Sequence, residues 1–215
     1  PTAGRLGAQI EEADPDIVVL VEAAPEVLTA VERTGTLAGY EYQDRQPREG
    51  AFGWAVFSRF PLTDATAPEV GGSRMPRMTV TLDGGRQFTL FPVHTISQVN
   101  DDHAARWRVQ MAELRSLASQ SSLPLVLAGD FNATRDHRPF RRLLDAGLRD
   151  AHDVANAGWG PTWDARSMLP LLRIDHVLAS PRFAVTGYRR GEEFGSDHLP
   201  LVVDLALRDP ASSAD

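Results

Sequence analysis

The sequence of 215 residues contains no cysteine and no lysine. The absence of cysteine excludes disulfides, thiolate catalysis and zinc sites built on cysteine. All 22 basic residues are arginine, which excludes Schiff-base catalysis by lysine and the lysine of Walker-type phosphate loops. No stretch approaches the roughly 20 consecutive apolar residues that span a bilayer, and no signal-peptide pattern is present. The sequence therefore indicates a globular protein that uses none of these chemistries.

The net charge of −7 argues against a protein that binds a polyanion through a broad basic surface. It does not exclude a nuclease, because bound cations offset carboxylates that cluster at one site. A hydrophobic content of 42% and a charged content of 24% are ordinary for a globular protein. With no Pro/Ser-rich linker to divide the chain, we expect one domain over residues 1–215, monomeric and without a protein partner.

The apolar pattern predicts an α+β domain in which helices cover the outer faces of packed sheets. Asp83, Gly84 and Gly85 are typical of a hairpin turn between two strands. The clearest amphipathic helix places Trp107 and Met111 on one apolar face, followed by Leu114 and Leu117. Strands are predicted at 16–22, 54–58, 78–82, 88–95, 123–130, 173–180 and 198–207, helices at 3–13, 25–34 and 102–119, and a tail at 208–215.

Polar residues recur where five of these strands end or turn. They are Glu22, His94, Asp130 with Asn132, Asp175, and Asp197 with His198. If the strand ends converge, they form a carboxylate-lined cleft with two imidazoles. Hard oxygen ligands suit Mg²⁺, Mn²⁺ or Ca²⁺ better than zinc. Such a site fits metal-assisted hydrolysis of a phosphate ester, in which a carboxylate or imidazole activates water.

Four segments, DIVVLVE, GDFNAT, RIDHVLAS and GSDHLPLVVDL, resemble in order and spacing the endonuclease/exonuclease/phosphatase superfamily. The resemblance extends from residue 5 to about residue 207. It implies a deoxyribonuclease I-like fold, a four-layer α/β/β/α sandwich with the site at one edge. It also implies a divalent-metal-dependent phosphohydrolase, with Mg²⁺ as the expected cofactor and Mn²⁺ or Ca²⁺ as alternatives.

The resemblance implies roles for the acidic motifs. Glu22 matches the glutamate that ligates the divalent metal, and Asp197 lies near that metal. Asp130 matches the aspartate that orients or deprotonates the attacking water, and Asn132 the asparagine that hydrogen-bonds the scissile phosphate. A turn stabilised by the side chains of Asp130 and Asn132 is the structural alternative for that pair.

The same resemblance implies roles for two histidines. His198 stands against a phosphate oxygen or the nucleophile, and Asp175 accepts a hydrogen bond from its imidazole and fixes the tautomer. His94 lies where relatives place a His or Tyr that faces the phosphate and the leaving-group oxygen, and a core histidine is its alternative. His176 follows Asp175 in a strand, so it points to the opposite face and we expect it to be structural.

Three further groups are candidates for substrate contacts. Trp163, in the segment GWGPTWD, could stack on a base, although a packing role is equally open. Arg135 follows the GDFN turn and could contact flanking phosphates, with a solvated helix face as the alternative. Arg74 and Arg77, on either side of Pro76, are weaker candidates of the same kind.

The substrate class is the weakest part of the sequence interpretation, because members of the superfamily share chemistry and differ in their loops. The leading hypothesis is an endo- or exonuclease that hydrolyses nucleic-acid phosphodiesters, with DNA as the candidate partner. The second is a hydrolase of a small or lipid-linked phosphate, similar to sphingomyelinases or inositol phosphatases. The third is a binding module without catalysis, against which the complete set of site residues counts.

The N-terminus carries two expectations. Members of the superfamily begin with a strand that ends in an asparagine near the metal, whereas PTAGRLGAQIEEADPDIVVLVE looks like the following helix and strand. We therefore expect the native parent to carry one more strand and a site asparagine upstream. A hydrophobic anchor ahead of that strand would make the enzyme extracytoplasmic, and a gene starting close to Pro1 would make it cytoplasmic.

Overall fold

Two β-sheets packed face to face form the centre of the protein, and helices cover both outer surfaces. The computed structural model describes residues 2–167 and 171–209. The helices are α1 (Thr2–Ala13), α2 (Pro25–Glu32), α3 (Asp101–Ser119), α4 (Arg138–Leu144) and α5 (Ala151–Val154). The strands are β1 (Ile17–Val21), β2 (Tyr42–Gln46), β3 (Trp54–Ser58), β4 (Leu62–Thr66), β5 (Glu69–Val70), β6 (Ser73–Arg74), β7 (Arg77–Thr81), β8 (Gln87–His94), β9 (Leu125–Asp130), β10 (Arg149–Asp150), β11 (Asp175–Ala179), β12 (Phe183–Arg190) and β13 (Leu201–Leu207).

The sheets meet through one apolar core. The first sheet has the order β1-β3-β2, and the second has the order β10-β11-β9-β8-β7-β4. Val19 and Val56 of the first sheet share a cluster with Met78, Leu90 and Val126 of the second. Strands β12 and β13 pair with each other and contribute apolar side chains to the same cluster. Because successive side chains of a strand point to opposite faces of the sheet, the second apolar face of each sheet can pack against helices.

Helices cover both of these outer faces. On one side, Leu6 of α1 and Val31 of α2 pack with Phe57 of β3. On the other side, α3 and α4 pack against β8 and β9 through Trp107, Met111, Leu114, Phe140 and Leu143. The layers follow the order helix, sheet, sheet, helix, so the predicted α+β sandwich is confirmed. Among the described residues, no helix is long and apolar enough to cross a membrane.

Predicted and observed elements agree where the apolar pattern is strong. All seven predicted strands and three predicted helices occur, with ends displaced by at most a few residues, and the 83–85 turn joins β7 to β8. The prediction missed β2, β4 and β12, and the short elements β5, β6, β10, α4 and α5. Strand β4, for example, is exposed over Thr63–Thr66, so its sequence carries little core signal. Of the predicted tail, Arg208 donates its backbone N–H to the Arg182 carbonyl over 2.9 Å, and 210–215 lie outside the described residues.

Strand β1 pairs with β3 and, within the described part of the chain, with no other strand. Its other edge is where the expected upstream strand would add backbone hydrogen bonds. That upstream strand stays a prediction.

Candidate active site

Sheet register aligns three of the predicted residues in one row. Strands β8 and β9 are parallel and place His94 opposite Asp130, and β11 is antiparallel to β9 and places Asp175 opposite Asp130. The parallel pair is possible because α3 returns the chain from the end of β8 to the start of β9. Glu22 directly follows β1 of the facing sheet. The edge where the two sheets meet therefore gathers residues that are far apart in sequence.

At this edge lies an open cleft of about 310 Å³. Its polar lining includes Glu22, His94, Asp130, Asn132 and His198, and Asp197 completes that set. Three apolar side chains that reach solvent, Phe52, Val99 and Trp163, line the same cleft. The cleft thus combines a polar lining, with three acids and two histidines, with exposed apolar groups.

The turn after β9 fixes Asp130 and Asn132. Gly129 has a φ of 140°, and a Cβ there would lie 2.1 Å from the Val93 carbonyl oxygen, so only glycine fits this close approach to β8. Asp130 is 4% exposed. Its Oδ1 accepts from the Asn132 backbone N–H over 2.7 Å, and its Oδ2 accepts from Asn132 Nδ2 over 3.0 Å. The turn expected as the structural alternative for this pair is therefore present, and the catalytic roles of the two residues stay predictions.

The side chain of Asn132 has a different geometry from the one expected for a phosphate donor. Its Nδ2 donates to the Thr95 carbonyl oxygen over 2.9 Å as well as to Asp130. Both amide hydrogens are thus taken by the protein. In this arrangement Asn132 orients Asp130 and offers no hydrogen to a phosphate oxygen.

Burial and charge set the protonation of Asp130. Burial, followed by the charge of Asp175, raises the pKa of Asp130 to about 7. The charges of His94 and His198 oppose this rise, as does the backbone hydrogen bond from Asn132. A carboxylate with a pKa near 7 is suited to accept a proton at neutral pH.

His198 is held by Asp175. Its Nδ1 donates to Asp175 Oδ2 over 2.9 Å, with Oδ1 at 3.1 Å. This leaves Nε2 directed towards Asp130, 4.0 Å from Oδ2. Burial disfavours the charged imidazole, but the hydrogen bond and charge of Asp175, together with Asp130, raise the pKa of His198 to about 9. His198 therefore places a positive charge next to a buried carboxyl group.

His94 connects the two sheets. Its Nδ1 donates to the Ala51 carbonyl over 2.5 Å, which leaves Nε2 at 3.2 Å from Glu22 Oε1 and 3.8 Å from Asp130 Oδ2. Burial disfavours its charged form, but the hydrogen bond with Glu22 and the charge of Asp130 outweigh burial and raise the pKa of His94. The hydrogen bond from His94 in turn lowers the pKa of Glu22, so the Glu22 carboxylate is ionised.

The acidic residues fit a hydrated divalent cation. Glu22 has a side chain 54% exposed, and it lies close enough to Asp197 for that charge to act on its pKa. Asp197 also contacts the Arg166 guanidinium at 3.2 Å. In residues 2–167 and 171–209, no group of three or more His, Asp or Glu side chains is placed to hold a metal ion, so the protein would supply at most two such ligands here. One or two carboxylates with several waters is the mode that Mg²⁺ favours.

The remaining candidates separate into those at the cleft and those away from it. Trp163 lines the cleft, is 36% exposed and bridges to His198 through its backbone. Arg135 does not line the cleft, and its guanidinium pairs with Asp153 near α5, so its phosphate contact stays a prediction that this arrangement does not support. His176 is buried behind the site, as predicted, where Nε2 donates to the Ala133 carbonyl over 2.8 Å.

Two loops that the sequence reasoning missed also form the cleft. Ala51 and Phe52 precede β3, and 95–99 follows β8. The Phe52 ring centroid lies 5.6 Å from that of His94. Phe52 lies between Gly50 and Gly53, and an aromatic residue in such a short glycine-bounded loop is the sequence feature that could have indicated a residue of the cleft. Val99 has no comparable feature.

Solved structures with the same fold include several hydrolases. A mannosyl-6-phosphatase from Bacteroides thetaiotaomicron is 19% identical, with a TM-score of 0.72 over 96% of this chain and 91% of that chain. D. rerio TDP2 complexed with a single-stranded DNA product is 15% identical, with a TM-score of 0.78 over 95% and 91%. The 3′ phosphatase NExo from Neisseria, bound to a product DNA hairpin, is 22% identical, with a TM-score of 0.72 over 94% and 93%. At these identities the likeness establishes the fold alone.

No match was found among curated proteins. The model of the Endonuclease/Exonuclease/phosphatase family matches residues 1–198, which is most of the chain. Members of this family are metal-dependent enzymes that hydrolyse phosphoric esters. The chain belongs to the Endonuclease/Exonuclease/phosphatase family.

Proposed function

We propose that this protein is a Mg²⁺-dependent phosphodiesterase that hydrolyses nucleic-acid phosphodiesters as an endo- or exonuclease. The observation that carries the proposal is that one cleft holds two acid–base groups with different pKa values. Asp130 is buried with a pKa of about 7, and the Nε2 of His198, whose pKa is about 9, lies 4.0 Å from its Oδ2. One group accepts a proton near neutral pH, and the other presents a positive charge.

Each of these groups has a separate task in hydrolysis. Ionised Asp130 takes a proton from the water that attacks phosphorus, and Asn132 holds the carboxylate in position through two hydrogen bonds. His198, kept in one tautomer by Asp175, donates its Nε2–H towards a phosphate oxygen. His94 faces the same space from the other side, with its Nε2 between Glu22 and Asp130. The two imidazoles thereby stabilise the charge that develops on the phosphate, and as the bond from phosphorus to the leaving oxygen breaks, protonated His94 gives its Nε2 proton to that oxygen.

Glu22 and Asp197 would hold the cation. When bound, Mg²⁺ supplies Lewis-acid polarisation and charge neutralisation at the phosphate. Mn²⁺ would meet the same oxygen ligands with the octahedral geometry of Mg²⁺, and Ca²⁺ would accept more ligands in a less regular arrangement. The exposed side of Glu22 leaves room for the waters that Mg²⁺ retains.

The nucleic-acid assignment rests on the flanks of the cleft. Phe52 and Trp163 are both exposed and both line it, and aromatic faces stack on bases irrespective of sequence. Two relatives of the same fold were solved with DNA products. The same aromatic flanks, together with an acidic net charge of −7, favour short or single-stranded substrates over a long duplex.

A small or lipid-linked phosphate is the second candidate. Arg135 and Arg166 pair with Asp153 and Asp197, so carboxylates already offset part of the positive charge near the cleft. Val99 and Phe52 would accept an apolar substituent equally well. A relative of the same fold is a mannosyl-6-phosphatase.

A turnover panel with Mg²⁺ and with Mn²⁺ separates the two candidates. It compares plasmid DNA, single-stranded oligonucleotides, bis-p-nitrophenyl phosphate, sphingomyelin and inositol phosphates, with Asp130→Asn as the inactive control. Hydrolysis of DNA at rates well above those of the lipid and inositol substrates supports the nuclease. Turnover confined to sphingomyelin or inositol phosphates refutes it.

The location of the enzyme is also a proposal. An extracytoplasmic, anchored form agrees with the absence of cysteine in the sequence but does not depend on it. Fractionation of cells that express the full gene, with an antibody against this domain, distinguishes an anchored from a cytoplasmic enzyme.

A further inference from the structure

Thr162 lies beside the backbone of both members of the Asp175–His198 pair. The residue is fully buried, with 0% of its surface exposed. Its hydroxyl oxygen accepts from the backbone N–H groups of Ile174 and Asp175, each over 3.2 Å. These two bonds use both lone pairs of that oxygen. The Thr162 side chain therefore holds the residue at which β11 begins.

The backbone of Thr162 is bonded to the segment that carries His198. The Leu199 N–H donates to the Thr162 carbonyl over 2.9 Å, and the next residue, Trp163, forms a β-bridge with His198. The Thr162 N–H donates to the Leu172 carbonyl over 2.8 Å. One buried residue thus links the start of β11 to the segment that carries the imidazole.

The Asp175 end of β11 has a strand neighbour on one edge. Strand β9 pairs with β11 from Asp175 to Ala179, whereas β10, in the described part of the chain, pairs with Leu178 and Ala179 alone. Alternate N–H groups of an antiparallel strand point to opposite edges of that strand. At Asp175 the Thr162 hydroxyl therefore supplies the acceptor that a neighbouring strand supplies farther along β11.

We propose that Thr162 is a positioning residue of the active site, which sets the distance and the direction between the Asp175 carboxylate and the His198 imidazole. These two side chains are bonded over 2.9 Å, and the bond determines where His198 Nε2 points in the cleft. A displacement of about 1 Å in an active site can lower a rate on the order of 100-fold. The effect of Thr162 on turnover rests on the proposed phosphodiesterase function, whereas the Asp175–His198 bond is observable without turnover.

Thr162→Val tests the proposal, because valine has the shape of threonine but no acceptor for the two backbone N–H groups. We expect kcat on bis-p-nitrophenyl phosphate to fall by at least about tenfold, with KM changed by less than about twofold. In NMR spectra, the far-downfield Nδ1 proton of His198, assigned by its absence from His198→Ala, should move upfield or be lost to exchange. Thr162→Ser keeps the hydroxyl and should restore the resonance and most of kcat.

Ser180→Ala is the matched control. The Ser180 hydroxyl accepts the Leu125 N–H over 3.1 Å, so it holds the backbone in a similar way, one residue beyond the opposite end of β11. Its loss should lower the midpoint of urea denaturation, as Thr162→Val does. A purely structural hydroxyl does no more than this, so Ser180→Ala should keep the native kcat and the native His198 resonance.

The outcomes separate this inference from the proposed function. A folded Thr162→Val with native kcat and a native His198 resonance overturns the positioning role and leaves the phosphodiesterase standing, and so do equal losses of kcat in Thr162→Val and Thr162→Ser. If Thr162→Val does not fold, Thr162→Cys, whose sulfur is a weaker acceptor, should show smaller changes in the same direction, and native values there overturn the role. A native protein that hydrolyses no phosphate ester overturns the proposed function, while the resonance still decides the role of Thr162.

Discussion

Asp130 and Asp175 lie directly opposite each other on two antiparallel strands, yet of the two only Asp175 holds an imidazole by a hydrogen bond. His198 is its cationic partner, at 2.9 Å. Asp130 is buried and faces the charge of Asp175, so its pKa rises to about 7. A buried carboxyl group with a pKa near neutrality is suited to general-base catalysis at neutral pH. The same register position thus provides one carboxylate that orients His198 and one that titrates near pH 7.

Replacement of Asp130 by Asn should lower kcat at least 100-fold, the lower end for loss of a general base. The amide keeps the size of the side chain but accepts no proton. Steady-state kinetics on bis-p-nitrophenyl phosphate measure the effect, and circular dichroism verifies the fold. Asp83→Asn, in the exposed turn between β7 and β8, is the matched control and should retain full activity. A kcat for Asp130→Asn within tenfold of the native value contradicts the assignment.

The pH dependence of the rate should report on Asn132. Asp130 acts as a base only when ionised, so the rate falls as the pH drops below its pKa. Asn132→Ala removes the Nδ2 donor that favours the carboxylate of Asp130. The pKa of Asp130 should therefore rise, and the acid limb of the kcat profile should move to higher pH. An unmoved limb with a raised KM would instead support the phosphate contact expected from the sequence.

The sequence was sufficient to predict a site residue where the packing pattern of the same segment fixes the position of that residue. The buried pattern of β9 fixes where Asp130 emerges, and Gly129 marks the close approach to β8. The engagement of both Asn132 amide hydrogens could not be read from the sequence, because one acceptor is the backbone of Thr95, 37 residues away. The pairing of Arg135 with Asp153 was hidden for the same reason, since it depends on where α5 packs.

His94 and His176 should differ in their effects on activity. His94 faces the cleft, whereas His176 packs against Phe140 at a centroid distance of 4.3 Å and donates to Ala133. His94→Ala should therefore lower kcat by more than His176→Ala does. His176→Ala should instead lower the free energy of unfolding by roughly 2 kcal/mol, because it leaves a buried acceptor and a cavity. Equal losses of kcat in the two variants, measured under conditions where both are folded, contradict the assignment of opposite faces.

Metal dependence should be traced to Glu22. Glu22→Gln removes the charge that attracts a divalent cation and keeps the shape of the side chain. Titration calorimetry with Mg²⁺ or Mn²⁺ should show an affinity at least tenfold weaker than that of the native protein. Glu26→Gln, on the exposed first turn of α2, serves as the control and should bind the metal normally. Full phosphodiesterase turnover of the native protein in excess chelator contradicts the proposed cofactor.

Acid stability should depend on Asp150, which lies behind the site and contacts Arg173 at 2.6 Å and His176 at 2.8 Å. Burial favours the neutral acid, but the hydrogen bond and charge of His176, together with Arg173, lower the pKa of Asp150 from 3.8 to about 2. A depressed pKa means that the folded state binds the proton less readily than the unfolded state. The stabilisation is therefore complete above pH 3.8 and is lost as the pH falls through the folded value near 2.

Asp150→Asn removes this titration and should lower the free energy of unfolding by roughly 2 kcal/mol at pH 7. The difference from the native protein should shrink steadily between pH 4 and pH 2, because the native carboxylate becomes protonated there. Urea denaturation at a series of pH values measures both curves. Asp204→Asn, at an exposed position of β13, should follow the native curve throughout. A difference that stays constant down to pH 2 would show that Asp150 acts through hydrogen bonding alone, without its charge.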